Sequence, residues 1–248
     1  MKIIISPTKK MVAETNSFLA ETTPLFLKKT QVILDTLNSL TYEEAKAMWK
    51  CNDQIAAENR ERLKQMELAN QLSPAVMSYK GLQFQYMSPD LFSENALAYM
   101  KENLRILSGF YGVLRPFDGI TPYRLEMQAP LQVDGHKNLY HYWGSHLYDA
   151  LDFSDGPVIN LASKEYTKAI SPYLKEGDQL IEIMFANLID GKLKVKATLA
   201  KMARGQMVRY MAENHVEAVE DLQHFDHPHY QFSAEHSTSQ KYVFIYQD

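Results

Sequence analysis

Apolar residues recur along this chain in two rhythms, and the rhythm changes from segment to segment. Unbroken runs stand at Lys2-Ile3-Ile4-Ile5, Leu104 to Leu107, Pro157-Val158-Ile159-Asn160-Leu161 and Tyr242 to Tyr246. Short β-branched and aromatic runs of this kind, closed off by Ser, Pro or Gly, predict buried strands. Strict alternation over Leu82-Gln83-Phe84-Gln85-Tyr86 predicts a half-buried strand. Leu180 to Leu188 and Leu193 to Leu199 flank Asp190-Gly191, a dipeptide suited to the left-handed residues of a tight hairpin, and predict an antiparallel pair.

The second rhythm is helical. Residues from about Leu25 to Leu68 carry it, and Thr41 followed three positions later by Glu44 is a capping box that starts a helix running to about Lys50. Asn52-Asp53 interrupts that helix and caps the next, whose inward positions are Ile55, Ala56, Asn59, Leu63 and Met66. Ser93-Glu94-Asn95 opens a further helix through about Asn103, and Ala200 to Asn214 forms another with Ala203, Met207 and Tyr210 inward and Lys201, Arg204 and Gly205 on the opposite side. The expected fold class is α/β: a mixed sheet with flanking helices over residues 1–248, interrupted by a helical hairpin insertion around 25–70.

Composition changes this picture only at the margins. A chain of 248 residues with 46% hydrophobic content supports a sizeable core. It has no apolar run of membrane-spanning length and no signal-like start, so a cytoplasmic protein without membrane partners is expected. The single cysteine, Cys51, excludes an internal disulfide and a cysteine-rich zinc site, and no cofactor or metal is expected. The net charge of −4 argues against a uniformly basic footprint. Its distribution is uneven, since Lys192 to Arg209 holds six basic residues and no acidic one.

Chemistry concentrates where the predicted strands end. Ser6-Pro7-Thr8-Lys9-Lys10 follows the first, Ser108-Gly109 the second, and Ala162-Ser163-Lys164 the third, each a serine with a cation nearby. In open α/β sheets ligands collect at the carboxyl ends of the strands, so three such ends predict one shared anion pocket. Leu104 to Met127 packs three Gly, two Pro and three Arg between apolar residues. It reads either as a tight connection or as an anion-facing loop with Arg115 and Arg124 as forked donors. Lys80 beside Gly81 reads as a phosphate contact or as a solvated lysine. Lys192, Lys194 and Lys196 share one face, as edge protection does. Tyr140, Tyr142, Trp143 and Tyr148 read as core packing or as a surface on which a base stacks, and His224, Asp226, His227 and His229 as a surface loop or as metal ligands.

Taken together, Ile5-Ser6-Pro7-Thr8-Lys9, Tyr79-Lys80-Gly81, Leu107 to Pro116, Pro122-Tyr123-Arg124-Leu125-Glu126-Met127, Leu139 to Gly144, Ile159 to Ser163 and Ala203-Arg204-Gly205 resemble the bacterial YaaA family of peroxide stress proteins over nearly the whole chain. The resemblance implies a mixed α/β fold of the family's own type and a cytosolic protein that limits free iron and oxidative DNA damage. It also implies DNA binding, duplex or distorted, through a helix-hairpin-helix and a positively charged cleft. The hairpin falls on Thr41 to Leu68, although Lys50-Cys51-Asn52-Asp53 lacks the glycines of the general motif. Lys9, Lys80, Arg115, Arg124, Lys201 and Arg204 match the family's motif positions and are the DNA- or anion-binding candidates. The alternative is an enzyme acting on a nucleotide or modified base in the anion pocket, with Ser108, Tyr111, Glu126 and Ser163 as candidate catalytic residues.

Overall fold

The computed structural model describes residues 1–13, 18–70 and 72–247. Its centre is an eight-stranded sheet, and the expected mixed α/β architecture is what the chain adopts. The strands are β1 (Lys2–Ile5), β2 (Leu104–Ser108), β3 (Gly112–Leu114), β4 (Val158–Leu161), β5 (Leu180–Ile189), β6 (Lys192–Lys194), β7 (Tyr230–Phe232) and β8 (Lys241–Tyr246). Their spatial order is β7-β8-β5-β4-β1-β2-β3, with β6 folded back on β5. The five inner strands are parallel, and β3, β6 and β7 are antiparallel additions. Ile3, Ile4 and Ile5 are all fully buried, as are Val158, Ile159 and Leu161, because a parallel strand is covered on both faces.

The position of β1 decides where a ligand can sit. Ile4 pairs with Arg105 of β2 on one side and with Asn160 of β4 on the other. The chain therefore leaves β1 in one direction and later returns to its opposite flank. Such a reversal opens a crevice beyond the carboxyl ends of the strands.

The main helices are α1 (Leu27–Ser39), α2 (Tyr42–Trp49), α3 (Asp53–Lys64), α4 (Leu82–Met87), α5 (Glu94–Asn103), α6 (Leu139–Trp143), α7 (Lys164–Thr167) and α8 (Ala197–Glu213). The capping box at Thr41 and Glu44 is present with both of its reciprocal bonds, and the Asn52 side chain accepts from the Ile55 amide to start α3. Arg60 of α3 donates to the carbonyls of Leu37, Asn38 and Leu40, satisfying the end of α1.

Three local expectations are corrected. Leu82 to Tyr86 is the helix α4, not a strand: Gln83, Phe84 and Met87 are buried, a helical spacing, and α4 packs on α8. The strand expected over Leu193 to Leu199 stops at Lys194, and α8 takes over from Ala197. Gly205 does not face away from the core. It is buried where α8 crosses α4, and a Cβ there would lie 2.1 Å from the main-chain oxygen of Gln83.

Candidate functional site

A cavity of about 460 Å³ opens at the carboxyl ends of β1 and β4. Ser6 to Lys10 form the wall that follows β1, and Ser163, Glu165 and Tyr166 the wall that follows β4. The Ser6 hydroxyl ties the two together, accepting from the Ser163 amide at 2.8 Å and lying 3.2 Å from the Ser163 hydroxyl. A third wall runs from Tyr123 to Glu126, and α4 and α8 close the remaining side with Gln83, Lys201 and Arg204. Five of the six expected cations, Lys9, Lys80, Arg124, Lys201 and Arg204, are brought to this one space, and Lys10 joins them.

Each wall is held from behind. Gly109 lets the Leu125-Glu126-Met127 main chain pass so close that a Cβ at 109 would sit 3.0 Å from it. Trp49, the last residue of α2, donates its indole N–H to the Arg124 carbonyl at 2.7 Å. Lys80 is placed by a two-residue ribbon in which Lys10 pairs with it across the strands. Behind Tyr123 a buried chain of hydroxyls runs from Ser108 at 2.6 Å to Tyr123 and on to Tyr79 at 2.8 Å. Burial pushes Tyr123 and Tyr79 well above the ordinary phenol range, so both remain neutral donors.

The electrostatics favour an anion. Against the cations stand two carboxylates, Glu126 and Glu165, and Glu126 is paired with Lys9 at 2.9 Å. Burial raises the Glu165 carboxyl above the usual carboxylate range, partly opposed by the Gln128 amide that donates to it at 3.1 Å. Arg204 is pulled the other way: burial lowers its pKa, and Glu182 partly restores it. Three buried N–H groups of the lining, Gln83 Nε2, Arg124 Nε and Arg204 Nε, have no partner among the described residues. Buried donors are rarely left unmade, so these three mark where an acceptor belongs.

Not every candidate reaches the cavity. Arg115 is built into the preceding turn, where its Nε and Nη2 donate to Asp118 Oδ1 at 3.1 and 2.9 Å and Nη2 also reaches the Thr23 carbonyl. Ser108 accepts from the amides of Phe110 and Tyr111, while Tyr111 bonds Thr121; both are buried away from the lining. Glu126 and Ser163 do line it. Sequence reasoning missed Gln83, Glu165 and Tyr166 as lining residues; Gln83 was hidden by the misread strand. Among the tail histidines, His227 lies 2.8 Å from Gln206 through Nε2 and accepts the amides of His229 and Tyr230 through Nδ1, an arrangement that organises a loop.

The chain is thus an α/β protein with a cation-lined cavity at the switch point of its sheet. It belongs to the family of the peroxide stress protein YaaA, whose family model matches residues 1–236. It is 55% identical to a UPF0246 protein of Lactiplantibacillus plantarum over 247 residues, covering 100% of both chains. It is also 54% identical to one of Pediococcus pentosaceus over 245 residues, 99% of this chain and 98% of that one. A UPF0246 protein of Agathobacter rectalis is 49% identical over 244 residues, 98% of each. Family membership places the protein among those of peroxide stress. No helix among the described residues is long and apolar enough to cross a membrane.

Proposed function

We propose that the protein acts in the cytoplasm during peroxide stress by binding DNA, and that the cavity is where a phosphate of a distorted strand is held. The observation that carries this reading is the convergence of Lys9, Lys10, Lys80, Arg124, Lys201 and Arg204 on one space whose lining leaves three N–H donors unpaired. Phosphate oxygens accept such donors and draw such charge. A concave space of about 460 Å³ suits a phosphate carried on an unpaired nucleotide better than the flank of an intact duplex. Bound protein at damaged positions shields the strand from iron-driven oxidation, which links DNA binding to lower oxidative damage.

The helical hairpin supports the cavity rather than the phosphate in this account. Lys46 is paired with Asp53, Arg62 with Glu58 and Lys64 with Glu61, while Arg60 caps α1; Lys50, exposed at the turn, makes no ion pair among the described residues. Trp49 is its link to the site, through Arg124.

A second reading, an enzyme acting on a nucleotide or modified base, rests on the two carboxylates. Glu126 is paired with Lys9, while burial raises the Glu165 carboxyl above the usual carboxylate range, so two carboxylates in unlike surroundings face one space. Fluorescence anisotropy at several salt concentrations, with a duplex and with the same duplex carrying a central mismatched bubble, tests the first reading. Tighter binding to the bubble with a steep loss of affinity in salt is expected. Affinity indifferent to salt would overturn it, and conversion of the probe would favour the enzyme.

A further inference from the structure

The cavity has a neighbour. Beyond Ser163 and Arg204 lies a second chamber of about 730 Å³, and those two residues line both spaces. It too carries cations, Lys164, Lys168 and Lys241, and differs from the first in setting an apolar flank beside a carboxylate. One flank is apolar, with the half-buried Met184, which shares the face of β5 that carries Glu182, and the half-exposed Val195 that follows β6. The other is polar, with Glu182 of β5 opposite Lys241 of β8 in the parallel register and Gln240 beside it.

The polar groups here are unspent. Among the described residues, Glu182 and Lys241 make no ion pair even though they are register neighbours, and the Gln240 side chain makes no hydrogen bond. A carboxylate that accepts, an ammonium that donates and an amide that does both stand together above an apolar wall. Such a set reads the edge of a base whose face rests on apolar side chains. Arg204 stands between this chamber and the cationic one, its Nε without a partner and its charge favoured by Glu182.

We propose that the two chambers form one bipartite site for a single DNA strand. A 5′-phosphate sits among Lys9, Lys80, Arg124 and Lys201 with its own nucleoside at the mouth of the first cavity, Arg204 contacts the phosphodiester that follows, and the second nucleoside lies in the second chamber with Glu182 accepting from its base edge. This inference rests on the phosphate reading of the first cavity. It goes further in fixing the length of the occupant at two nucleotide units and the direction in which the strand leaves. A paired base has its hydrogen-bonding edge already engaged, so the occupant is unpaired.

The test is competition against a fluorescent single-stranded oligonucleotide on the full chain, comparing a 5′-phosphorylated dinucleotide with a deoxynucleoside monophosphate. The dinucleotide is expected to compete at least tenfold better. Glu182→Gln is isosteric and breaks no hydrogen bond or ion pair among the described residues; it should remove most of that advantage, its loss for the dinucleotide exceeding any loss for the mononucleotide that follows from a weaker Arg204 charge. Val195→Trp, which fills the chamber from its exposed rim, should do the same. Equal potency of the two competitors, or an advantage that survives both variants, would overturn the bipartite site while leaving the first cavity's role intact. Failure of either competitor to displace the probe would overturn the phosphate reading as well.

Discussion

Gly205→Ala separates a glycine kept for helix crossing from one merely tolerated. Alanine in the interior of a helix is favoured over glycine by about 1 kcal/mol, so the substitution in open space would stabilise α8. The space is not open. A Cβ on Gly205 would lie 2.1 Å from the Gln83 carbonyl oxygen and 2.9 Å from the Met87 amide nitrogen, both main-chain atoms of α4. Relief therefore requires the two helices to move apart, and overpacking of this kind costs about 1–3 kcal/mol or more. A contact of 2.1 Å to backbone calls for the upper part of that range, about 2–3 kcal/mol, so after the gain of about 1 kcal/mol the net expectation is a loss of about 1–2 kcal/mol, which for a chain of this size lowers Tm by about 2–8 °C. Because the obstacle is backbone, Gln83→Ala does not rescue it. Affinity for DNA should also fall, since α4 carries Gln83 and α8 carries Lys201 and Arg204 into the same cavity. Thermal denaturation of the single and double variants is the assay. A Gly205→Ala protein that melts at or above the parent would refute the crossing argument.

Three further outcomes are expected. Arg115→Lys keeps the charge but loses the fork on Asp118, whose side chain is 1% exposed, so it should cost about 1–2 kcal/mol in urea denaturation while leaving the Kd for DNA unchanged; a changed Kd with unchanged stability would put Arg115 in the site. Trp49→Phe loses the N–H on the Arg124 carbonyl and part of a ring system that is 4% exposed, so stability should drop by about 1–3 kcal/mol and affinity should fall with it in anisotropy titrations. Glu165 protonates more readily folded than unfolded, so its contribution to stability declines as pH rises from the ordinary glutamate range through its raised pKa. Over that window falling pH also removes a negative charge from the cavity, and affinity for a phosphodiester strand should rise; Glu165→Gln should flatten both profiles.

Much of the frame was legible because it is local. Apolar runs gave away β1, β2, β4 and β8, and the serine-and-cation pattern at strand ends anticipated the cavity before any pairing was known. What escaped depends on contacts distant in the chain. Leu82 to Met87 is too short for periodicity to separate strand from helix, and its partner, Gly205, lies on α8. Arg115 and Arg124 sit in similar surroundings in sequence, yet Asp118 claims the first and a turn of chain beside Gly109 delivers the second to the cavity. Nothing near Glu165 in the sequence marks it; burial beside the Gln128 amide, which comes from a distant part of the chain, makes it unusual.

The most direct test of the central claim is the salt dependence of DNA affinity in charge-removing variants. Each phosphate contact releases counterions, so removing one contacting cation should lower the slope of log affinity against log salt by about one unit. Arg124→Gln and Lys201→Gln, both on the cavity wall, are expected to show that loss, while Arg115→Lys is expected to keep the parent slope. Unchanged slopes in the Arg124 and Lys201 variants, with binding otherwise intact, would contradict the account and place the DNA elsewhere on the protein.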